Sequence, residues 1–117
     1  MLRQHLLWVE GKGGLRLQPE NWISSRKWSN EFEGADLVDA NLASANLRGA
    51  DLRCANLYNA NLASADLRGA NLDGASLQGA NLRDANLRDA NLEDANLEYA
   101  NLEYANLEGA NLSLIHI

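Results

Sequence analysis

Alanine stands at position 35 and at every fifth residue to Ala110, and leucine follows two places later each time, from Leu37 to Leu112. Asn or Asp is the rule between them. The result is 16 tandem units of the form Ala-(Asn/Asp)-Leu-x-x, 80 of the 117 residues. An unbroken internal period constrains the architecture more than any other feature of a chain. A helix cannot use this one. Five residues advance about 500°, so the leucines would drift roughly 140° per unit and form no apolar stripe. An extended chain can use it. Ala and Leu, two apart, point to one side of a strand. The next Ala comes three residues after Leu, so only a bend in each unit returns it to the inside. Each unit is one short strand and one corner.

The corner has its own signature. The last position of the units holds Gly49, Gly69, Gly74, Gly79 and Gly109, then Asp39, Asp84, Asp89 and Asp94, and once Asn59. Ten of the 16 are residues that tolerate positive φ or bond their own backbone in turns. A type II turn wants such a residue at its third position. Ala40–Ala50 and Ala60–Ala70 match except for Asn46 against Asp66. Their offset of 20 residues is four units, and four right-angle corners close a square.

Tandem A(D/N)Lxx resembles the pentapeptide-repeat proteins, over about two thirds of this chain. The resemblance implies an all-β solenoid: a right-handed, four-sided parallel β-helix of about four coils. It implies that Leu and the small residue two before it fill the interior, and that the other three positions face out.

Residues 1–29 differ in kind. Trp8, Trp22, Trp28 and the only proline, Pro19, lie there. Leu2, Leu6 and Val9 fit one helical face that stops at Glu10-Gly11. Gly11-Lys12-Gly13-Gly14 reads as a loop, without the spacing of a phosphate-binding P-loop. The end of a β-helix exposes strand edges and needs a cap, and this segment is expected to supply it. His5, Trp8 and Gly11 are similar to a leader found before the repeats in some pentapeptide-repeat proteins. Phe32 is expected in the first interior slot of a repeat region spanning 30–114. At the other end, Leu112–Ile117 abandons the motif. The peptide LSLIHI is what CTGTCTCTTATACACATCT encodes, a string that resembles the mosaic end of a transposase-based sequencing adaptor. Residues 113–117 are therefore expected to be translated adaptor, with the natural chain continuing beyond; the alternative is a genuine apolar strand.

Chemistry is hard to find. A lone Cys54 allows no internal disulfide. His5 and His116 lie far apart, with no metal-ligand spacing. No catalytic arrangement, cofactor motif or metal set stands out, and a helix filled with Leu and Ala offers no cleft for a substrate. The expectation is a non-enzyme without cofactors. A net charge of −6 and a pI near 4.7 argue against direct nucleic-acid binding. No apolar run is long enough to span a membrane. Met1–Glu10 makes a poor signal peptide, so the protein is expected in the cytoplasm.

The outer surface remains. Taking units by fours assigns each to a face. Units beginning at 35, 55, 75 and 95 (the first face) sum to −3, and those beginning at 50, 70, 90 and 110 (the fourth) also to −3. The second face sums to −1 and the third to 0. The first and fourth are neighbours, so one half of the rod holds −6 of the helix's −7. Asp36, Asp51, Asp73, Glu93, Asp94 and Glu98, with Tyr99 and Tyr104 near the C-terminal end, form the candidate partner surface. Arg48, Arg68 and Arg88 stack on the third face, with Asp66, Asp89 and Glu108 to offset them. Glu93, Glu98, Glu103 and Glu108 make a collar around the rod.

Three readings of function follow. The first is a rigid protein-binding or scaffold module, since outward positions can vary without touching the core. End-to-end homodimers are an added option, because open coil ends can stack. The second is implied by the resemblance: some pentapeptide-repeat proteins are acidic rods that resemble duplex DNA and bind type II topoisomerases such as gyrase. The third is a fragment whose active part lies beyond the C terminus.

Overall fold

The computed structural model describes residues 32–117. Each unit contributes one isolated parallel bridge at its second position, and every bridge joins residues 20 apart: Asp36 to Asn56, Asn56 to Ser76, Ser76 to Asn96, and so on around the other three sides. Four units therefore make one coil, and the chain winds as a four-sided parallel β-helix. Each corner from Leu37 to Ala110 is closed by an amide of the next alanine donating to the leucine carbonyl, as Ala70 to Leu67 at 3.0 Å. The residue between them in the fifth position has φ between 56° and 72° in all 16 units. A hydrogen bond from i+3 to i with positive φ at i+2 marks a type II turn.

The period, not the local residue, sets this conformation. Ser44, Cys54, Ser64, Tyr99, Tyr104 and Leu114 adopt positive φ as readily as the glycines and aspartates, although nothing in their own chemistry favours it. Cooperative stacking of neighbouring coils holds them there.

One unit shows how the backbone is satisfied. The Asn71 amide donates to Ala50 O of the coil before, at 2.9 Å, and the Leu72 and Gly74 amides donate to Asn91 O and Glu93 O of the coil after, at 2.6 and 2.8 Å. The Ala70 amide closes the turn at 3.0 Å. That leaves the Asp73 amide, which donates to the Asn71 side-chain Oδ1 at 3.1 Å. All five amides find acceptors, as water-poor repeats require. The second-position Asn or Asp is thus a structural acceptor as well as an outward-facing residue. Fifteen of the 16 units make this bond, from Asp36 to Val38 through Asn111 to Ser113. The exception is the unit with Ser76, the one departure from Asn or Asp.

Inside, alanines from Ala35 to Ala95 and leucines from Leu37 to Leu97 are buried, and Phe32 fills the first slot at 1 % exposure. Burial does not extend to Leu112 as the repeat pattern predicts. Leu102 and Leu107 are only partly buried, and Leu112 is 38 % exposed. The reason is geometric: a leucine is covered by the coils on both sides, and the final coil has only Ile115–Ile117 beyond it. Residues 113–117 nonetheless follow the path. Leu114 takes the fifth-position φ, and His116 bridges Asn96. The N-terminal segment assigned above as a cap, residues 1–29, lies outside the described residues.

Candidate functional site

The faces assigned by counting are the faces the bridges make, because both repeat at 20 residues. Fourth- and fifth-position side chains stand at the corners, so each coil adds one layer of chemistry to each column, about 4.8 Å from the last.

The two halves of the rod treat their charges differently. On the second and third faces every carboxylate has a basic partner. Arg68 grips Asp66 through two bonds, Nε to Oδ1 at 2.9 Å and Nη2 to Oδ2 at 2.7 Å. Arg83 reaches Glu103 in the next coil at 2.6 Å and Asp84 at 3.6 Å, and its guanidinium lies 5.3 Å from the Tyr104 ring centre. Arg88 lies 3.7 Å from Asp89 and 3.4 Å from Glu108. The acidic collar is therefore half neutralised from the coil above it.

On the first and fourth faces the only arginine, Arg53, is committed to Asp51 and Glu33. It donates to Asp51 Oδ1 at 2.8 Å and Oδ2 at 2.6 Å, with Glu33 at 3.4 Å. The Asp51 side chain is 9 % exposed. Its hydrogen bonds from Arg53 hold its carboxyl below the usual range, against the opposing effect of burial. Asp66 is lowered in the same way, by Arg68. Asp51 therefore contributes no free charge to the candidate surface. Asp36, Asp39, Asp73, Glu93, Asp94 and Glu98 have no ion-pair partner among the described residues. All six lie on these two adjoining faces, and no unpaired carboxylate lies on the other two. Tyr99, 88 % exposed, stands beside Glu98 on the same half; Tyr104, 71 % exposed, sits on the second face under Arg83.

Counting charges missed Asp51's engagement and the reach of Arg83 to Glu103, although it set Asp66, Asp89 and Glu108 against the arginines of the third face. The signal was present: an Asp two places before an Arg, at Asp51–Arg53 and Asp66–Arg68, is the spacing that forms the bidentate pair. Among the described residues no group of His, Cys, Asp and Glu is arranged to hold a metal ion, and no helix is long and apolar enough to cross a membrane.

The pentapeptide-repeat family model matches eight copies over residues 31–69 and 75–113. The chain belongs to the pentapeptide-repeat family. It is similar to the crystal structure of a pentapeptide-repeat protein, Rfr23, from the cyanobacterium Cyanothece 51142, at 43 % identity and a TM-score of 0.66, covering 70 % of this chain and 54 % of that one. It is also similar to alr5209, a pentapeptide-repeat protein from Nostoc PCC 7120, at 40 % identity and a TM-score of 0.65, covering 80 % and 78 %. The chain thus spans about half the length of Rfr23. No functionally curated protein matches it. The fold is the family's right-handed quadrilateral β-helix.

Proposed function

We propose that this pentapeptide-repeat protein is a rigid, non-catalytic protein-binding module that meets its partner through the first and fourth faces. The observation that carries this reading is the segregation of charge: six carboxylates without ion-pair partners on one half, and complete pairing of carboxylates on the other. Unpaired like charges on a fixed lattice repel one another, and a partner with basic groups relieves that repulsion while being steered to the correct side. Tyr99 supplies an aromatic contact at the C-terminal end of the same half, with little entropy to lose on binding.

The test compares two variants in capture of partners from cell extract at low and raised salt. Asp73→Asn, Glu93→Gln and Glu98→Gln together should abolish capture of any specific partner. Arg83→Gln with Glu103→Gln, on the other half, should leave it intact. Equal capture by both variants would sink the assignment of the half.

The same acidic half supports a second reading, mimicry of duplex DNA toward a type II topoisomerase. A third candidate contact lies at the last coil. The Leu102, Leu107 and Leu112 amides have no acceptor among the described residues, and Leu112 and Leu114 are exposed. A second copy stacked end to end would pair those edges. Sedimentation of the wild type and of Leu112→Asp separates a dimer from a monomer.

A further inference from the structure

The third face holds a feature that the acidic half does not explain. Arg48, Arg68 and Arg88 line a groove of about 290 Å³ with Gly69 on its floor and Asp89 at one end. Gly69 lines the groove at the fifth position beside Arg68. A Cβ built on Gly69 would meet nothing within 4 Å, so a larger residue there would begin to fill the groove.

The three arginines are not equivalent. Arg88, at the Asp89 end, is engaged by Asp89 and Glu108. Arg68 spends its Nε and Nη2 on Asp66, which leaves Nη1 unbonded. Arg48 has no side-chain hydrogen bond and no ion pair among the described residues, alone among the five arginines of the repeats. Its side chain therefore offers a complete guanidinium fork, one coil from the free edge of a second. A planar fork facing an open groove matches the geometry of a carboxylate or phosphate group.

We propose that the Arg48–Arg68 end of this groove binds one oxyanionic group, a carboxylate or phosphate borne by a protein partner. A single group is the right ligand. Asp66 and Asp89 would repel an extended polyanion, and the net charge of −6 repels nucleic acid as a whole. Only the choice of a protein as the carrier rests on the protein-binding reading. The site itself is testable without any partner.

The experiment titrates the full chain, labelled with nitrogen-15, with inorganic phosphate and then with acetate against chloride at matched ionic strength. The arginine side-chain and backbone amide resonances are followed. Saturable shifts should appear at Arg48 and Arg68 Nε and at the Gly49 and Gly69 amides. Arg48→Gln should weaken binding about tenfold, the value of a charge-assisted hydrogen bond, while Arg83→Gln on the second face changes nothing. Because Arg48 is exposed, the variant should fold; an unchanged amide spectrum elsewhere verifies this. A stronger response to phosphate identifies a phosphorylated partner, and an equal response to acetate an acidic side chain. Linear, unsaturable shifts, shifts spread equally over Arg53 and Arg83, or an unaffected Arg48→Gln variant would each overturn the site. Tighter binding of a short single-stranded oligonucleotide than of phosphate at the same residues would overturn the single-group assignment.

Discussion

At the scale of the residue, the second position of each unit carries more than its outward direction suggests. Asn71 accepts the Asp73 amide and also a bond from Asn91 Nδ2 at 3.3 Å, and Asn91 in turn accepts from Asn111 at 3.2 Å. Ser76 is too short to do the first of these, and the Gln78 amide makes no hydrogen bond to it. Ser76→Asn should therefore stabilise the protein by about 1 kcal/mol, the net worth of one hydrogen bond; a lowered melting temperature would show that the side chain does not fit between Asn56 and Asn96. Asp51 and Asp66 add a dependence on pH. Their folded-state pKa values lie below the unfolded value of about 3.9. Their stabilisation is complete above that value and is lost as pH falls through the lowered folded one. Asp66→Asn keeps the backbone bond, as Asn46 and Asn86 do on the same face. It should thus fold normally yet show a shallower loss of melting temperature than the wild type as pH falls below about 4. Identical pH profiles would mean that the Arg68 pair contributes nothing to folding.

The element here is the coil, and its stability depends on having a coil on each side. Leu72 is fully buried between two, so Leu72→Asp places an unpaired charge where no water reaches and should cost more than about 4 kcal/mol. Leu112 occupies the same slot in the last coil with 38 % exposure, and Leu112→Asp should cost only about 1 kcal/mol. Chemical denaturation of both decides it; similar losses would mean that the last coil is covered in solution. Asn71→Ala should fall between them, at about 1–2 kcal/mol, because it strands two donors. At the other end, removal of residues 1–28 should cause aggregation if that segment is a cap, and a soluble, equally stable deletion would make it an appendage. Most of this was legible in the period alone. Spacing by five placed Leu and Ala inside, and the match of Ala40–Ala50 with Ala60–Ala70, which a recent duplication would also give, pointed to four units per coil. Two things were not legible. A period is blind to where stacking stops, so it placed Leu102–Leu112 in the core. It also treats position two as merely outward, because the bond from Asn71 to Asp73 is a consequence of the turn's geometry rather than of hydrophobic pattern.

For the whole molecule, what matters is how charge is laid out along the axis. Duplex phosphates run along a groove, so a mimic of DNA needs columns of unpaired negative charge. The collar Glu93–Glu98–Glu103–Glu108 runs around the rod instead, and Arg83 and Arg88 neutralise two of its four members. The column Arg48–Arg68–Arg88 would oppose any DNA-binding surface on the third face. On the acidic half, Asp51 is held by Arg53, so the fourth face offers Asp73, Glu93 and Asp94 over only two coils, and the first offers Asp36 and Asp39 at one end and Glu98 at the other. With coils about 4.8 Å apart, these columns are short and interrupted. Inhibition of DNA gyrase supercoiling should therefore be weak or absent, with any binding confined to this half and lost at raised salt, as surface charge requires. Sub-micromolar inhibition, abolished by Asp73→Asn with Glu93→Gln but not by Arg48→Gln, would promote mimicry over partner binding of another kind. It would also show that two coils of unpaired charge suffice to be read as DNA.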